Sequence, residues 1–147
     1  MKVKEYPDGT ILVDGNVLEG ANEAYQEGRI IEAFALLHAF IDWEMVNLYE
    51  QHHLRKGGTL IELKDNMLKK YRFGWLRSEL LRNKLTDNKE NQKLNKWYEL
   101  RNRIIHRLVA YSYYNYPWNR VTKKEVEQGF YEGKEIAELL RVRTLRL

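Results

Sequence analysis

The stretch Trp97-Tyr98-Glu99-Leu100-Arg101-Asn102-Arg103-Ile104-Ile105-His106-Arg107-Leu108-Val109 has the apolar period of an α-helix, with an arginine where the core should be. Advancing about 100° per residue puts Leu94, Trp97, Ile104, Ile105 and Leu108 within roughly 60° of Arg101. Asn102 and His106 lie one turn apart on the flank of this stripe, His106 about 140° round from Arg101. A charged group is rarely buried without a partner, so something must face Arg101. The stretch Ile30 to Tyr49 offers a candidate. Its apolar line of Ile30, Leu37, Ile41 and Leu48 contains Glu44, within about 20° of Leu37. Two amphipathic helices thus each carry one misplaced charge, of opposite sign. This predicts a Glu44–Arg101 ion pair in a helical core or at a helix–helix cleft. The alternative is that each side chain snorkels out through a gap in the packing.

The whole chain sets the bounds. Its 147 residues suffice for one domain with a real core. No apolar run is long enough for a transmembrane helix, and the start, Met1-Lys2-Val3-Lys4-Glu5-Tyr6-Pro7, lacks the apolar segment of a secretory signal. With no cysteine, disulfides and thiolate metal sites are excluded, and a cytoplasmic location with no membrane partner is expected. The net charge of +4 is unevenly spread. Residues 1–62 carry a balance of −6, residues 63–107 of +8 and residues 108–147 of +2. A basic middle beside an acidic first third is a possible footprint for a polyanion; the alternative is an ordinary solvated helix surface.

Local signals give the organisation. Residues 2–13 read as a small hairpin, turning at Tyr6-Pro7-Asp8-Gly9 and followed by a second turn at Asp14-Gly15. A hairpin of this size is marginal alone and is expected to lean on the helices. A short helix from Glu19 to Glu27 ends at Gly28. A long one follows from about Arg29 to Arg55, apolar on most sides and therefore central or shared with another chain, and Gly57-Gly58 stops it. Thr59-Leu60-Ile61-Glu62 is a capping box opening a helix to about Tyr71. Gly74 breaks the line, and Trp75 to Leu85 is helical again. Asp87-Asn88-Lys89-Glu90 opens the motif helix, which runs to about Tyr113. A loop with Pro117 follows. Thr122-Lys123-Lys124-Glu125 then opens a last helix to about Arg141, ahead of a basic tail. The reading is all-α: a four-to-five-helix up-and-down bundle over residues 19–147, with a small N-terminal β-hairpin over residues 1–18.

Few residues are suited to chemistry. There is no glycine-rich phosphate loop and no serine nucleophile elbow. His52 and His53 are adjacent and point about 100° apart on a helix, while His38 has no histidine three or four places away. No metal and no cofactor are expected. That leaves His106 with Asn102 and Arg101. A histidine titrates near neutrality and moves protons. An arginine forks onto a phosphate and steadies the charge of a five-coordinate phosphorus, and an amide orients either group. These types suit phosphodiester cleavage without a metal. One histidine supplies one proton transfer, so two copies meeting at a two-fold axis would make a fuller site. The aromatic cluster Tyr111, Tyr113, Tyr114, Tyr116 and Trp118 follows the motif. It reads either as packing at the bundle end or a dimer contact, or as a stacking platform for bases.

Arg101-Asn102-Arg103-Ile104-Ile105-His106 resembles the Arg-x4–6-His motif of HEPN-domain proteins, including the polar residue after the arginine. The resemblance spans roughly residues 20–141. It takes in the long helix with Ala33, Ala35 and Ala39, and the order of motif helix, loop and closing helix. It implies an all-α bundle that forms a homodimer with the motif helices facing each other. It also implies a metal-independent endoribonuclease leaving 2′,3′-cyclic phosphate and 5′-hydroxyl ends, as in many toxins and defence effectors whose protein partner is an antitoxin. Carried over, Arg101 binds the scissile phosphate, Asn102 orients and His106 is the acid–base group. Glu44 is added here as a supporting residue that positions Arg101. Toxins paired with minimal nucleotidyltransferases often have a tyrosine two places after the histidine; this chain has Leu108, which puts that pairing in doubt. Other family members are inactive interaction modules. The alternative function is therefore a non-catalytic HEPN-like helical dimerisation or interaction module. A further reading is a nucleic-acid binder that uses the basic middle segment without cutting.

Overall fold

The computed structural model describes residues 2–59, 73–114 and 120–147. Strands β1 (Lys2–Glu5) and β2 (Ile11–Asp14) form an antiparallel pair. They are followed by helices α1 (Val17–Gln26), α2 (Ile30–Arg55), α3 (Phe73–Arg82), α4 (Asn88–Tyr114) and α5 (Lys123–Leu145). This is the expected all-α bundle with an N-terminal hairpin. The helix expected from Thr59 to about Tyr71 and most of the loop before Thr122 lie outside the described residues, as do the side chains of the aromatic cluster from Tyr111 to Trp118.

The helix ends follow from their capping chemistry. Asn16 Oδ1 accepts from the Leu18 N–H at 2.9 Å and starts α1 two residues before the expected Glu19. Gly28, at φ +78°, closes that helix. Asp87 and Glu90 cap α4 reciprocally: the Glu90 N–H donates to Asp87 Oδ1 at 2.7 Å, and the Asp87 N–H to Glu90 Oε1 at 3.0 Å. Thr122 and Glu125 form the same box on α5. Three further ends differ from expectation. α3 includes Phe73 and Gly74, where a break before Trp75 was expected; a single glycine costs a helix only about 1 kcal/mol and need not end it. α3 stops at Arg82 rather than Leu85, because Lys84 takes the left-handed conformation (φ 58°) and the Leu85 N–H turns back to the Leu80 carbonyl. α5 runs to Leu145, so the expected basic tail is its last turn: Arg143 finds Glu90 on α4, with Asp87 at 3.8 Å.

α2 is the centre of the bundle and touches every other described helix. Its buried side chains cover several faces, because neighbours approach from several directions: Phe34, Leu37, Ile41, Met45 and Leu48 form one stripe, and Ala33 and Val46 are buried on either side of it. A close junction joins α2 to α4 and α5. Trp97, 1% exposed, donates its indole N–H to the Gly129 carbonyl at 2.8 Å. A Cβ on Gly133 would stand 2.6 Å from Leu37 Cδ2 and 2.7 Å from Trp97 Nε1. A Cβ on Gly129 would stand 3.0 Å from Ile104 and 3.3 Å from Phe34. These glycines, one turn apart on α5, form a notch in which Trp97 of α4 and Leu37 of α2 meet. The pairing also sets direction. As α2 advances from Phe34 to Leu37, α5 advances from Gly129 to Gly133 and α4 recedes from Ile104 to Trp97.

The hairpin departs from expectation. Its turn is regular: the Gly9 N–H bonds to the Tyr6 carbonyl at 2.9 Å and the Tyr6 N–H to the Thr10 carbonyl at 2.8 Å, with Gly9 at φ +86°. Yet every residue of β1 is exposed, and Val3, Ile11 and Leu12 remain 70%, 63% and 50% exposed. It projects from the bundle instead of leaning on it. Among the described residues no helix is long and apolar enough to cross a membrane.

Gly133→Ala places a methyl inside the junction and is expected to cost about 1–3 kcal/mol. Gly74→Ala, with nothing within 4 Å of the new carbon, should leave the fold almost unchanged. Thermal unfolding followed by circular dichroism compares the two; equal melting temperatures would remove the notch from its place in the fold.

Candidate functional site

The site is positioned by the rotation of α4. Trp97 and Ile104, each 1% exposed, fix the buried side of the helix at the α2–α5 junction. Arg101 lies one turn beyond Trp97 on nearly the same side, and is half-buried. Its Nη1 donates to Asn102 Oδ1 at 2.7 Å, while its Nε is buried with no hydrogen-bond partner. Asn102 is half-buried and His106 is exposed. Arg101 and His106 are five residues apart on one helix, about 7.5 Å along the axis. The structure therefore brings Arg101 and Asn102 into direct contact and leaves the imidazole of His106 open to solvent on the flank.

Glu44 is elsewhere. It is 7% exposed, with Oε2 buried and unpartnered. The charges that act on it are Arg141 and Glu138 of α5. The expected Glu44–Arg101 ion pair is not formed, and the helix register gives the reason. Glu44 lies seven residues beyond Leu37 on α2, about 10 Å down the axis; Arg101 lies four residues from Trp97 on the antiparallel α4, about 6 Å the other way. Face and sign were compatible, but level was not. Burial is the main cause that pushes the Glu44 carboxyl above its ordinary value, Arg141 opposing and Glu138 adding to the rise. Arg141 is itself held by Glu138 at 2.8 Å, which limits its help.

The facing surface of α2 carries groups that sequence reasoning passed over. His38 Nε2 lies 2.9 Å from Asp42 Oδ2, one turn on, and its Nδ1 is buried without a partner. Its ring sits among Tyr98, Trp97 and Phe73, with centroids at 5.1, 6.2 and 6.5 Å. Phe73 in turn stacks on Tyr98 at 4.1 Å. The i,i+4 spacing of His38 and Asp42 was visible in the sequence; a search for histidine pairs alone missed it. Above this cluster, Ile31, Ala35, Ala39 and Trp43 stay exposed along α2, and Ile31 and Ala35 share a shallow groove with Leu108 of α4. Val109 is exposed near its end. An apolar strip thus runs along α2, and its Ile31–Ala35 end borders the motif helix at Leu108.

The basic middle segment has a different setting from the one its charge count suggests. Lys93 and Lys96 share a groove with Glu132 and Glu135 of α5, and Lys96 and Arg103 share another with Glu125 and Glu132. Arg107 Nη1 is 3.8 Å from Glu125 Oε1. The Thr122 backbone N–H holds the Glu125 carboxyl below its ordinary value, with Arg107 and Arg103 adding to the effect. These α4 cations meet an acidic row, so the α4–α5 grooves are of mixed sign. Among the described residues no three His, Asp or Glu side chains gather as a metal site. No protein-family model, curated protein or solved structure matches the chain.

The raised Glu44 carboxyl gives a stability prediction. A folded-state value above the ordinary 4.5 means that its contribution is full below that value and is lost as pH rises through the raised one. Glu44→Gln, which removes the charge, is expected to melt higher than the parent at pH 7.5, and the gap should close near pH 4. A gap that instead widens on acidification would mean that the buried carboxylate is stabilised.

Proposed function

We propose that this chain is a homodimeric, metal-independent endoribonuclease of the HEPN type, with Arg101, Asn102 and His106 as its site. The observation that carries the reading is the contact of Arg101 with Asn102 beside a solvent-open His106 on one helix. The exposed Ile31 and Ala35, which share a groove with Leu108 just after His106, support a second subunit on that side. Glu44 has no part in it.

The chemistry follows from the residue types. The imidazole of His106 removes the proton from a ribose 2′-hydroxyl. The 2′-oxygen bonds to the adjacent phosphorus and the bond from phosphorus to the 5′-oxygen breaks. The imidazolium of His106 of the partner subunit returns a proton to that leaving oxygen. Arg101 offers its fork to the phosphate as negative charge builds, and Asn102, accepting from Nη1, fixes the plane of that fork. The products are a 2′,3′-cyclic phosphate and a 5′-hydroxyl. Such an activity suits a toxin or defence effector restrained by an antitoxin protein.

A second reading, a non-catalytic dimerisation or interaction module, is favoured by the apolar strip alone, which needs no chemistry.

Purified protein is expected to cut single-stranded RNA in EDTA, leaving the matching DNA intact because DNA lacks the attacking hydroxyl. His106→Ala should lose about 10²–10⁴-fold of the rate with an unchanged helical spectrum. Arg101→Lys should be impaired although it keeps the charge, since the bidentate fork is lost. Full cutting by His106→Ala refutes the site; no cutting by the parent chain leaves the interaction module.

A further inference from the structure

The hairpin presents an unsolved physical problem. Two strands alone are marginal in water; three or more with an apolar face are stable. Here the sheet has two strands among the described residues, and Val3, Ile11 and Leu12 face solvent. Its two outer edges differ. The β1 edge carries Lys2, Lys4 and Glu5 in four residues, the charged decoration that discourages strand addition. The β2 edge reads Ile11-Leu12-Val13 and carries no charge before Asp14.

Backbone phase shows what the β2 edge can accept. Tyr6 bonds to Thr10 across the hairpin, and bonded and non-bonded pairs alternate along an antiparallel ladder. Glu5–Ile11 is then a non-bonded pair and Lys4–Leu12 a bonded one, in the observed register. Leu12 spends its backbone groups on β1, while Ile11 and position 13 turn theirs outward. An antiparallel strand centred on Leu12 meets both outward residues.

We propose that the β2 edge is a self-association site. On it, β2 of a second copy of this chain pairs antiparallel about a two-fold axis at Leu12, giving a four-stranded sheet. Ile11 of each copy opposes position 13 of the other, so four new backbone hydrogen bonds form, and Leu12 meets its symmetry mate. Shifting the register by two residues in either direction leaves two of those bonds. The same pairing through β1 is centred on Lys4, between the outward-turned Val3 and Glu5; it sets Lys4 against its symmetry mate and is repelled, so charge selects β2. A two-fold axis normal to the sheet keeps like faces together, which places Val3 and Ile11 of both copies on one side. The small apolar patch of each hairpin, which shares its face with Glu5, is thereby joined to that of the other copy. The contact uses no residue of α4 and does not rest on the ribonuclease reading.

The chain has no cysteine, so a single introduced thiol reports the contact cleanly. Directly opposed residues of a non-bonded pair have Cα atoms about 4.5 Å apart, within the span of about 4.4–6.8 Å that a disulfide bridges. Full-length Leu12→Cys, treated with oxidised glutathione at low micromolar concentration, should become mostly disulfide-linked dimer. Val3→Cys, on the more exposed residue of the other strand, should stay largely single. In parallel, Leu12→Lys should halve the native mass seen by light scattering without loss of helical signal. Equal linking of both cysteine variants, linking of neither, or a native mass unmoved by Leu12→Lys overturns the proposal. RNA cleavage is scored separately, so linking without cutting and cutting without linking tell the two readings apart.

Discussion

The bundle depends on the seating of one indole. Trp97 is large, and its N–H needs an acceptor once it is out of water. Both needs are met at the same place: the Gly129 carbonyl takes the N–H, and the missing side chains of Gly129 and Gly133 give the ring room against Leu37. This fixes the rotation of α4 and its height against α2 and α5. Arg101 is one turn away on the same helix, so its half-buried position follows from that seating.

Height along the helices then decides which charges meet. Glu44 and Arg101 each lie on the apolar side of their own helix, and each is buried in part. The antiparallel register sends them to different levels, Glu44 toward Arg141 and Arg101 toward Asn102. Each charge therefore has a local and incomplete solution, with Glu44 Oε2 and Arg101 Nε left without hydrogen bonds. For Glu44 the outcome is a carboxyl held against ionisation. For Arg101 it is a guanidinium tethered at one nitrogen beside a solvent-open histidine.

The fold was legible to the extent that its signals were local. Asp87–Glu90 and Thr122–Glu125 are capping boxes whose partners are three residues apart, and both form as the spacing implies. The period of Leu94, Trp97, Ile104 and Leu108 gave the buried side of α4. The site was legible only as a set of residue types on one helix. The contact of Arg101 with its neighbour Asn102 requires a rotamer that periodicity does not specify, and the His38–Asp42 pair lay at a spacing that was not weighed. The end of α5 lies beyond the expected Arg141, and no local signal marks it: Arg143, expected in a basic tail, finds its partner Glu90 fifty-three residues away.

The sequence by itself determined an all-helical bundle, the capping boxes that start α4 and α5, the apolar lines of α2 and α4, and the placing of Arg101, Asn102 and His106 together on α4. These are properties of hydrogen bonds and side-chain periods within a few residues. Only the tertiary structure decided that Glu44 and Arg101 stay apart, that the cations of α4 meet the acidic row of α5, and that the hairpin stands clear of the helices. Those outcomes depend on the relative height and rotation of elements distant in the chain. Among the helices they are set by how Trp97 fits a glycine notch, and no periodicity within one helix encodes that distance.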